Sequence, residues 1–387
     1  MPLTSPLIAA IPLAIWLYLA FLRGNFWRLE EDHAEPKSPE KWPRVVAIVP
    51  ARNEAATIAR AVTSLLSQEY PGEFEIIVVD DHSDDGTATL VQKAAEEAGS
   101  ARRITVRFAS ELPPGWTGKL WALNEGISSV SGKGLDFFWF TDADIVHAPD
   151  TLRRLISRAE TESLDLASLM VLLQAKTFPE KLLTPPFLYF FLMLYPPRWI
   201  ADPQKRTAGA AGGCILLRRA ALERIGGLAS IRNEVIDDCA LARVVKKTGG
   251  KIWMGVTSAS ISLREYKSFA EIRDLIARAA FTQLRYSSVL LVGTLLGLFV
   301  TYWLPWILFF VGEDPAWLLG STAASLMTVT FLFTVKFYNR SAIWALTLPF
   351  AAALYGYATL LSAVRYWLGR GAQWKGRTQA PKKLGSS

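Results

Sequence analysis

The stretch "FWFTDADIVHAPD", residues 138–150, decides the fold. Its large apolar side chains, Phe138 to Phe140, read as a buried strand, and the run ends in acids: Asp142, Asp144 and, further on, Asp150. A strand buried on both faces belongs to a parallel sheet covered by helices. Upstream, VVAIVP (45–50), FEIIVVD (74–80) and ITVRFA (104–109) are further apolar runs, separated by helix-like segments at 54–68, 86–99 and 119–130. This alternation predicts an α/β domain over residues 44–267, with a mostly parallel sheet and helices on both faces. In such a sheet ligands bind beyond the carboxyl ends of the strands. The acids that follow 74–80 and 135–142 therefore mark the candidate site.

The whole chain of 387 residues is 51% hydrophobic and only 20% charged, with 14 Trp and a positive mean hydropathy. That is too apolar for an ordinary soluble enzyme of this length. The net charge of +7 comes without a dense Lys/Arg block, so basic residues near a membrane face are expected and nucleic acid is not. Two cysteines, Cys214 and Cys239, make no disulfide framework, and three scattered histidines have no zinc spacing.

The apolar residues gather at the two ends. PLIAAIPLAIWLYLAFL, residues 6–22, is uncharged and near the lower length limit of a bilayer span. Arg23 and Arg28 follow this run rather than precede it. That favours a retained anchor (1–29) over a cleaved signal peptide and places the following domain in the cytoplasm. Residues 30–43 read as a charged, Pro-containing linker. Apolar stretches return at about 287–312, 316–335 and 341–367, a C-terminal transmembrane region (287–368) before a basic tail at 369–387. Three spans put that tail outside, whereas its Arg370, Lys375, Arg377, Lys382 and Lys383 prefer the inside. Residues 182–200 hold two Pro-Pro pairs around a short aromatic stretch. With Arg198 they suit a segment lying at the lipid headgroups, a buried loop being the plainer alternative. Residues 268–286 pattern as an amphipathic helix, Phe269, Ile272, Ile276 and Ala280 on one side, fit to lie on the bilayer.

No Gly-x-Gly-x-x-Gly follows the first strand and no Gly-Lys-Ser/Thr loop exists, so the usual dinucleotide and triphosphate cradles are missing. Residues two apart in an extended chain project to one face. Asp142 and Asp144 can thus converge on one metal, or on a metal and a sugar hydroxyl. Oxygen ligands of this kind suit Mg²⁺ or Mn²⁺ with phosphate partners. Taken alone, the pair also reads as an acidic turn closing a strand.

The ordered combination says more. VVAIVPARNEAATI, IIVVDDHSDDGT, GWTGKLWALNEG, FFWFTDADI and IDDCALA together resemble a family 2 glycosyltransferase of the GT-A fold, over about residues 44–290. The terminal apolar segments and the GWTGK and TQLRY stretches are most similar to the hopene-associated glycosyltransferases, relatives of ceramide glucosyltransferase. The resemblance implies that Pro50, Ala51, Asn53 and Glu54 border the nucleotide and that Asp80 and Asp81 bind uracil and ribose. It implies further that Lys119 lies near the donor and that Asp142 and Asp144 hold metal and sugar. Each has a plainer alternative: an Asx-turn or helix cap for Asp80 and Asp81, a solvated first-turn lysine for Lys119. Asp238, preceded by Asp237 where the family carries Glu, matches the base that deprotonates the acceptor; alone it reads as the cap of a helix ending in Lys246-Lys247.

The last motif departs from the family pattern. Members that hold the diphosphate with Gln-x-x-Arg-Trp have two residues between Gln and Arg; here Gln283 and Arg285 have one, and Tyr286 replaces Trp. Arg285, with Arg278 as a second candidate, is expected to clamp phosphate. The resemblance implies an inverting transfer of a sugar from a nucleotide sugar, expected to be a UDP-sugar, to a membrane lipid such as a hopanoid, in a bacterial cytoplasmic membrane. A polyprenyl-phosphate acceptor, or an inactive scaffold that keeps the fold, are the alternatives.

Overall fold

The computed structural model describes residues 6–29, 31, 37–130, 134–369, 373–374 and 377–378. Most of the basic tail and residues 30 and 32–36 of the linker lie outside them. The chain opens with an apolar helix, α1 (Pro6–Leu17), prolonged by a π-helical turn to Leu22. The α/β domain follows as β1 (Arg44–Ala51), α2 (Ile58–Leu66), β2 (Phe74–Asp80), α3 (Thr87–Glu97), β3 (Ile104–Phe108), α4 (Gly118–Ser128) and β4 (Leu135–Thr141). β5 (Ile145–His147), α5 (Thr151–Thr161), β6 (Leu166–Leu172), α6 (Phe178–Leu194), α7 (Pro197–Ala201) and β7 (Cys214–Arg218) continue it. α8 (Arg219–Arg224), α9 (Asp237–Lys247) and β8 (Ile252–Ser262) complete it.

The eight strands form one sheet in the order β3-β2-β1-β4-β7-β6-β8-β5. β3, β2, β1 and β4 are parallel, as their apolar runs predict, while β7 runs antiparallel to both β4 and β6. β1 lies between β2 and β4, and seven of its eight residues are buried because helices cover both faces. Register pairs Ala51 with Asp80, so the ends of β1 and β2 share one edge with the acids after β4. Gly126 is what lets α4 sit close on this edge. A Cβ there would stand 2.5 Å from Ile48 Cγ2 and 3.2 Å from Val79 Cγ2.

Beyond the sheet, α10 (Phe269–Gln283) leads to apolar helices: α11 (Ser288–Leu298), α12 (Leu304–Val311), α13 (Ala316–Phe337) and α14 (Leu348–Trp367). Three continuous segments, Ser288–Val311, Ala316–Phe337 and Ala342–Trp367, are long and apolar enough to cross a membrane; the N-terminal segment Pro6–Leu22 is shorter. It packs among them nonetheless, Trp16 Nε1 donating to Thr301 O at 2.8 Å.

One expectation is corrected: residues 182–200 are not broken at Pro185-Pro186. α6 runs straight through Pro185 and Pro186, its start secured by a capping box between Thr177 and Glu180. Pro185 and Pro186, Leu188, Tyr189 and Leu192 are buried, because α6 packs against α10, α13 and α14. Tyr189 O–H donates to Thr330 Oγ1 at 2.8 Å, since the Thr330 hydroxyl itself donates to Met327 O. At the far end Arg23 donates to the terminal carbonyls of Met193 (3.0 Å) and Leu194 (3.3 Å). A cation there complements the helix dipole. α10 packs its buried Ile272, Ala277 and Phe281 on α14 and α6 and leaves Phe269 exposed.

Replacing Gly126 by Ala should destabilise the protein. The intrinsic helix gain of about 1 kcal/mol is smaller than the overpacking cost of roughly 1–3 kcal/mol against Ile48. Thermal melting in detergent reads the sign; an unchanged or raised midpoint would refute the close α4–β1 contact.

Candidate active site

The site is built around one lysine. Lys119 occupies the first turn of α4, where a cation opposes the helix dipole, so partners must offset that cost. They are Asp142 at 2.8 Å, one residue past β4, and Asp237 at 3.6 Å, the first residue of α9. Burial alone would push the ammonium pKa down, but Asp142 and Asp237 outweigh it and hold it well above the usual lysine range. Asp238 lies beside them. Its Oδ2 accepts from Gly212 N–H at 2.9 Å and its Oδ1 from Cys239 N–H at 2.7 Å. Gly212 keeps this closure tight: a Cβ would stand 3.1 Å from Lys119 Nζ and 3.2 Å from Asp238 Oδ2, so one of them would have to give. Burial first, and Asp237 next, raise the Asp238 pKa to about 6, against the pull of Lys119.

Asp142, Lys119, Asp237 and Asp238 line a small pocket with Pro50 and Gly212, over an apolar floor that includes Leu123 and Phe140. Asp144 stands at its rim, Oδ2 accepting from Ser262 Oγ at 3.4 Å and its main-chain oxygen from Leu263 N–H at 2.7 Å. Burial, then the charges of Asp142 and Glu54, raise its pKa to about 6. Arg264, at the end of the same β8 extension, opposes that shift. Among the described residues no three His, Cys, Asp or Glu side chains form a ready cage for a metal ion. Two crowded carboxylates with surplus negative charge do fit a hard cation that takes its remaining ligands from phosphates and water. Asp142 and Asp144 would hold it.

The nucleotide-side residues form a second, tightly zipped group. Asn53, at φ +51°, donates its N–H to Ser83 Oγ (3.0 Å) and accepts from Asp84 N–H on its side-chain oxygen (3.0 Å). Glu54 N–H bonds Thr87 Oγ1 at 2.9 Å. Asp80 accepts from Ser83 N–H at 2.7 Å, three residues on. The Asx-turn geometry belongs to Asp85, just before the N-cap Gly86 of α3, which accepts from Thr87 N–H and Oγ1 at 3.0 and 2.5 Å. Asp81, 1% exposed, pairs with Arg52 at 3.6 Å, and its N–H bonds Ala51 O at 2.8 Å. The structure therefore gathers Pro50, Lys119, Asp142, Asp237 and Asp238 in one pocket, with Asp144 at its rim. Ala51, Asn53, Glu54, Asp80 and Asp81 stand on the adjoining strand ends.

The expected phosphate clamp is not assembled. Arg285 is exposed, at φ +52° in the turn after α10, and does not line the pocket. The reason lies in its neighbour: Tyr286 stacks on Tyr366 of α14 at 4.4 Å and pins the turn there. Gln283 bonds the Tyr195 hydroxyl at 2.8 Å instead of facing the acids. Arg278 is exposed too; with Arg264 it acts on the buried Tyr266 hydroxyl, which also feels Asp144. Sequence reasoning missed Arg264, Arg52 and the Gly212-Gly213 loop. Only the last had a readable signal, a glycine pair just before a strand.

Residues 46–226 match the family model described as Glycosyl transferase family 2. An N-acetylglucosaminyltransferase of Mesorhizobium japonicum is 32% identical over 197 residues, 49% of this chain and 42% of that relative. A beta-monoglucosyldiacylglycerol synthase of Synechocystis is 33% identical over 116 residues, 30% of this chain and 22% of the relative. The chain thus spans less than half the length of these curated relatives. In three dimensions it is similar to the mannosyltransferase PcManGT of Pyrobaculum calidifontis, solved with GDP-Man and Mn²⁺. The TM-score is 0.59 at 22% identity, covering 92% of this chain and 98% of the other, and it shows the GT-A fold. The family match ends before Asp237 and Asp238, whose assignment rests on their geometry.

A carboxyl whose folded pKa is raised adds stability below its unfolded value and loses it as pH rises through the folded one. For Asp238 that window runs from the ordinary aspartate value of 3.8 to about 6. Asp238→Asn should therefore melt higher than wild type at pH 8 and show no such gain at pH 4; equal melting shifts at both pH values would contradict the buried, crowded environment assigned to it.

Proposed function

We propose that the chain is a membrane-bound inverting glycosyltransferase that moves a sugar from a nucleoside diphosphate, UDP in this reading, to a hydroxyl of a membrane lipid. One observation carries it: Asp142 and Asp238 line a single pocket with Lys119, which pairs with Asp142 at 2.8 Å, so in this reading a base and a diphosphate-side acid share one reacting centre. Asp238, held by Gly212 N–H, takes the proton of the acceptor hydroxyl. The freed oxygen pair attacks the anomeric carbon from the face opposite the diphosphate, the C–O bond to phosphate breaks, and configuration inverts. Lys119 and Arg264 offer positive charge to the leaving diphosphate. A divalent ion between Asp142 and Asp144 would, when bound, neutralise the same charge. The loop 50–54 and Asp80–Asp81 border the nucleoside in this reading. The membrane helices and the lipid-directed synthase among the relatives support a lipid acceptor, hopanoids included. The domain then faces the cytoplasm, with Arg23 on the inner side.

The test is incubation of purified protein and Mg²⁺ or Mn²⁺ with a panel of UDP- and GDP-sugars and membrane lipid extract, reading released nucleotide and mass-shifted lipid. Asp144→Ala and Asp238→Asn should each lower turnover by about 10²- to 10⁴-fold. Wild-type turnover in either variant defeats the mechanism. In wild type, turnover should rise with pH through about 6 as Asp238 loses its proton, and stay level above. Arg264→Ala should raise the donor KM by about 10-fold, the loss of one charge-assisted contact; an unchanged KM removes Arg264 from the donor site.

A further inference from the structure

We propose that His147 is a positioning residue, a buried hub that sets the acids of the metal side and the base Asp238 in register; this rests on the function proposed above. The imidazole is 3% exposed and reaches none of the acids directly. Its Nε2 lies 2.8 Å from Thr141 Oγ1 and its Nδ1 2.8 Å from Ser260 Oγ. Thr141 has one hydroxyl hydrogen and spends it on Gly213 O at 3.0 Å. Its oxygen therefore accepts from His147, which fixes the tautomer: Nε2 carries the hydrogen, and Nδ1 accepts from Ser260 O–H.

Each partner adjoins a functional residue. Thr141 precedes Asp142. Gly213 follows Gly212, whose N–H holds Asp238 at 2.9 Å. Ser260 is two residues before Ser262, which donates to Asp144 at 3.4 Å, and His147 itself ends the strand that Asp144 leads into. One ring thus joins the ends of β4, β5, β7 and β8. Four separate backbone segments reach the site here, and the sheet register alone leaves β7 and β5 three strands apart. Trp139 packs on the ring 4.7 Å away, and the His147 main-chain N–H donates to Ser64 Oγ at 3.2 Å, fixing the backbone that carries it. Burial pushes the His147 pKa down to about 3, so the ring stays neutral and its hydrogen-bond pattern is permanent.

A histidine that only fills the core would, when replaced, cost stability without changing turnover per folded molecule. A hub changes turnover. His147→Leu and Thr141→Val should each lower kcat by about 10- to 100-fold, the range of small misplacements, with the donor KM within about 3-fold of wild type. The double variant should be no slower than the slower single one, because both cut the same link. His147→Gln, whose amide can still donate to Thr141 Oγ1, should recover most of the loss. Wild-type kcat in Thr141→Val, or losses that multiply in the double variant, overturns the hub even if His147→Leu fails to fold. If wild-type protein transfers no sugar, the functional reading fails on its own. The hub is then still judged by ¹⁵N shifts of the imidazole, where a cationic ring at neutral pH, or hydrogen on Nδ1, overturns it.

Discussion

Three carboxylates crowd one ammonium: Asp142, Asp237 and Asp238 around Lys119. The cluster brings together parts of the chain that have nothing else in common, the first turn of α4, the end of β4 and the start of α9. Each acid alone would be costly so close to the others and so poorly solvated, and Lys119 alone would be badly placed at a helix N-terminus. Together they are stable enough to persist and unbalanced enough to react. Lys119 neutralises Asp142 at 2.8 Å, but leaves Asp238 and Asp144 with proton affinities far above those of free carboxylic acids. A carboxylate whose proton affinity is raised toward neutrality and that lines a pocket suits a general base.

The membrane side is attached to this cluster through α6. Its N-terminal acid Glu180 accepts from Tyr266 N–H at 2.6 Å, on the segment that carries Arg264. Its middle is bonded to α13 through Tyr189 and to α14 by the Tyr355 hydroxyl on Leu183 O at 2.9 Å. Its end passes into Tyr195 and the loop that closes at Gly212. A helix that touches the apolar bundle along its length and leads into the loop holding Asp238 ties the α/β domain to the bundle. The two prolines inside it cost two backbone hydrogen bonds, and burial against α10, α13 and α14 outweighs that loss.

Much of this was legible in the chain. The strands of the parallel half are apolar runs that need no partner to be recognised, and their ends predicted where the acids would lie. The pairing of Asp142 with Lys119 was not readable, because 23 positions separate them and only the crossing of α4 over β1, permitted by Gly126, brings them together. The reading of 182–200 failed for a related reason. Pro-Pro pairs signal a break in an isolated chain, and nothing local reveals that a helix will be braced on three sides. Arg285 shows the reverse case: a motif residue in the right place along the chain, turned elsewhere because Tyr286 found Tyr366.

The sequence by itself determined the α/β class, the family resemblance over about residues 44–290, the apolar helices at the C-terminal end and the set of acids from which a site must be drawn. These depend on periodicity and on residue type, which are local properties. Which acids meet, which of them holds a proton, and which arginine stands near them were decided only by the tertiary structure. Those are properties of distance and burial, and they arise when segments far apart in the chain are folded against one another.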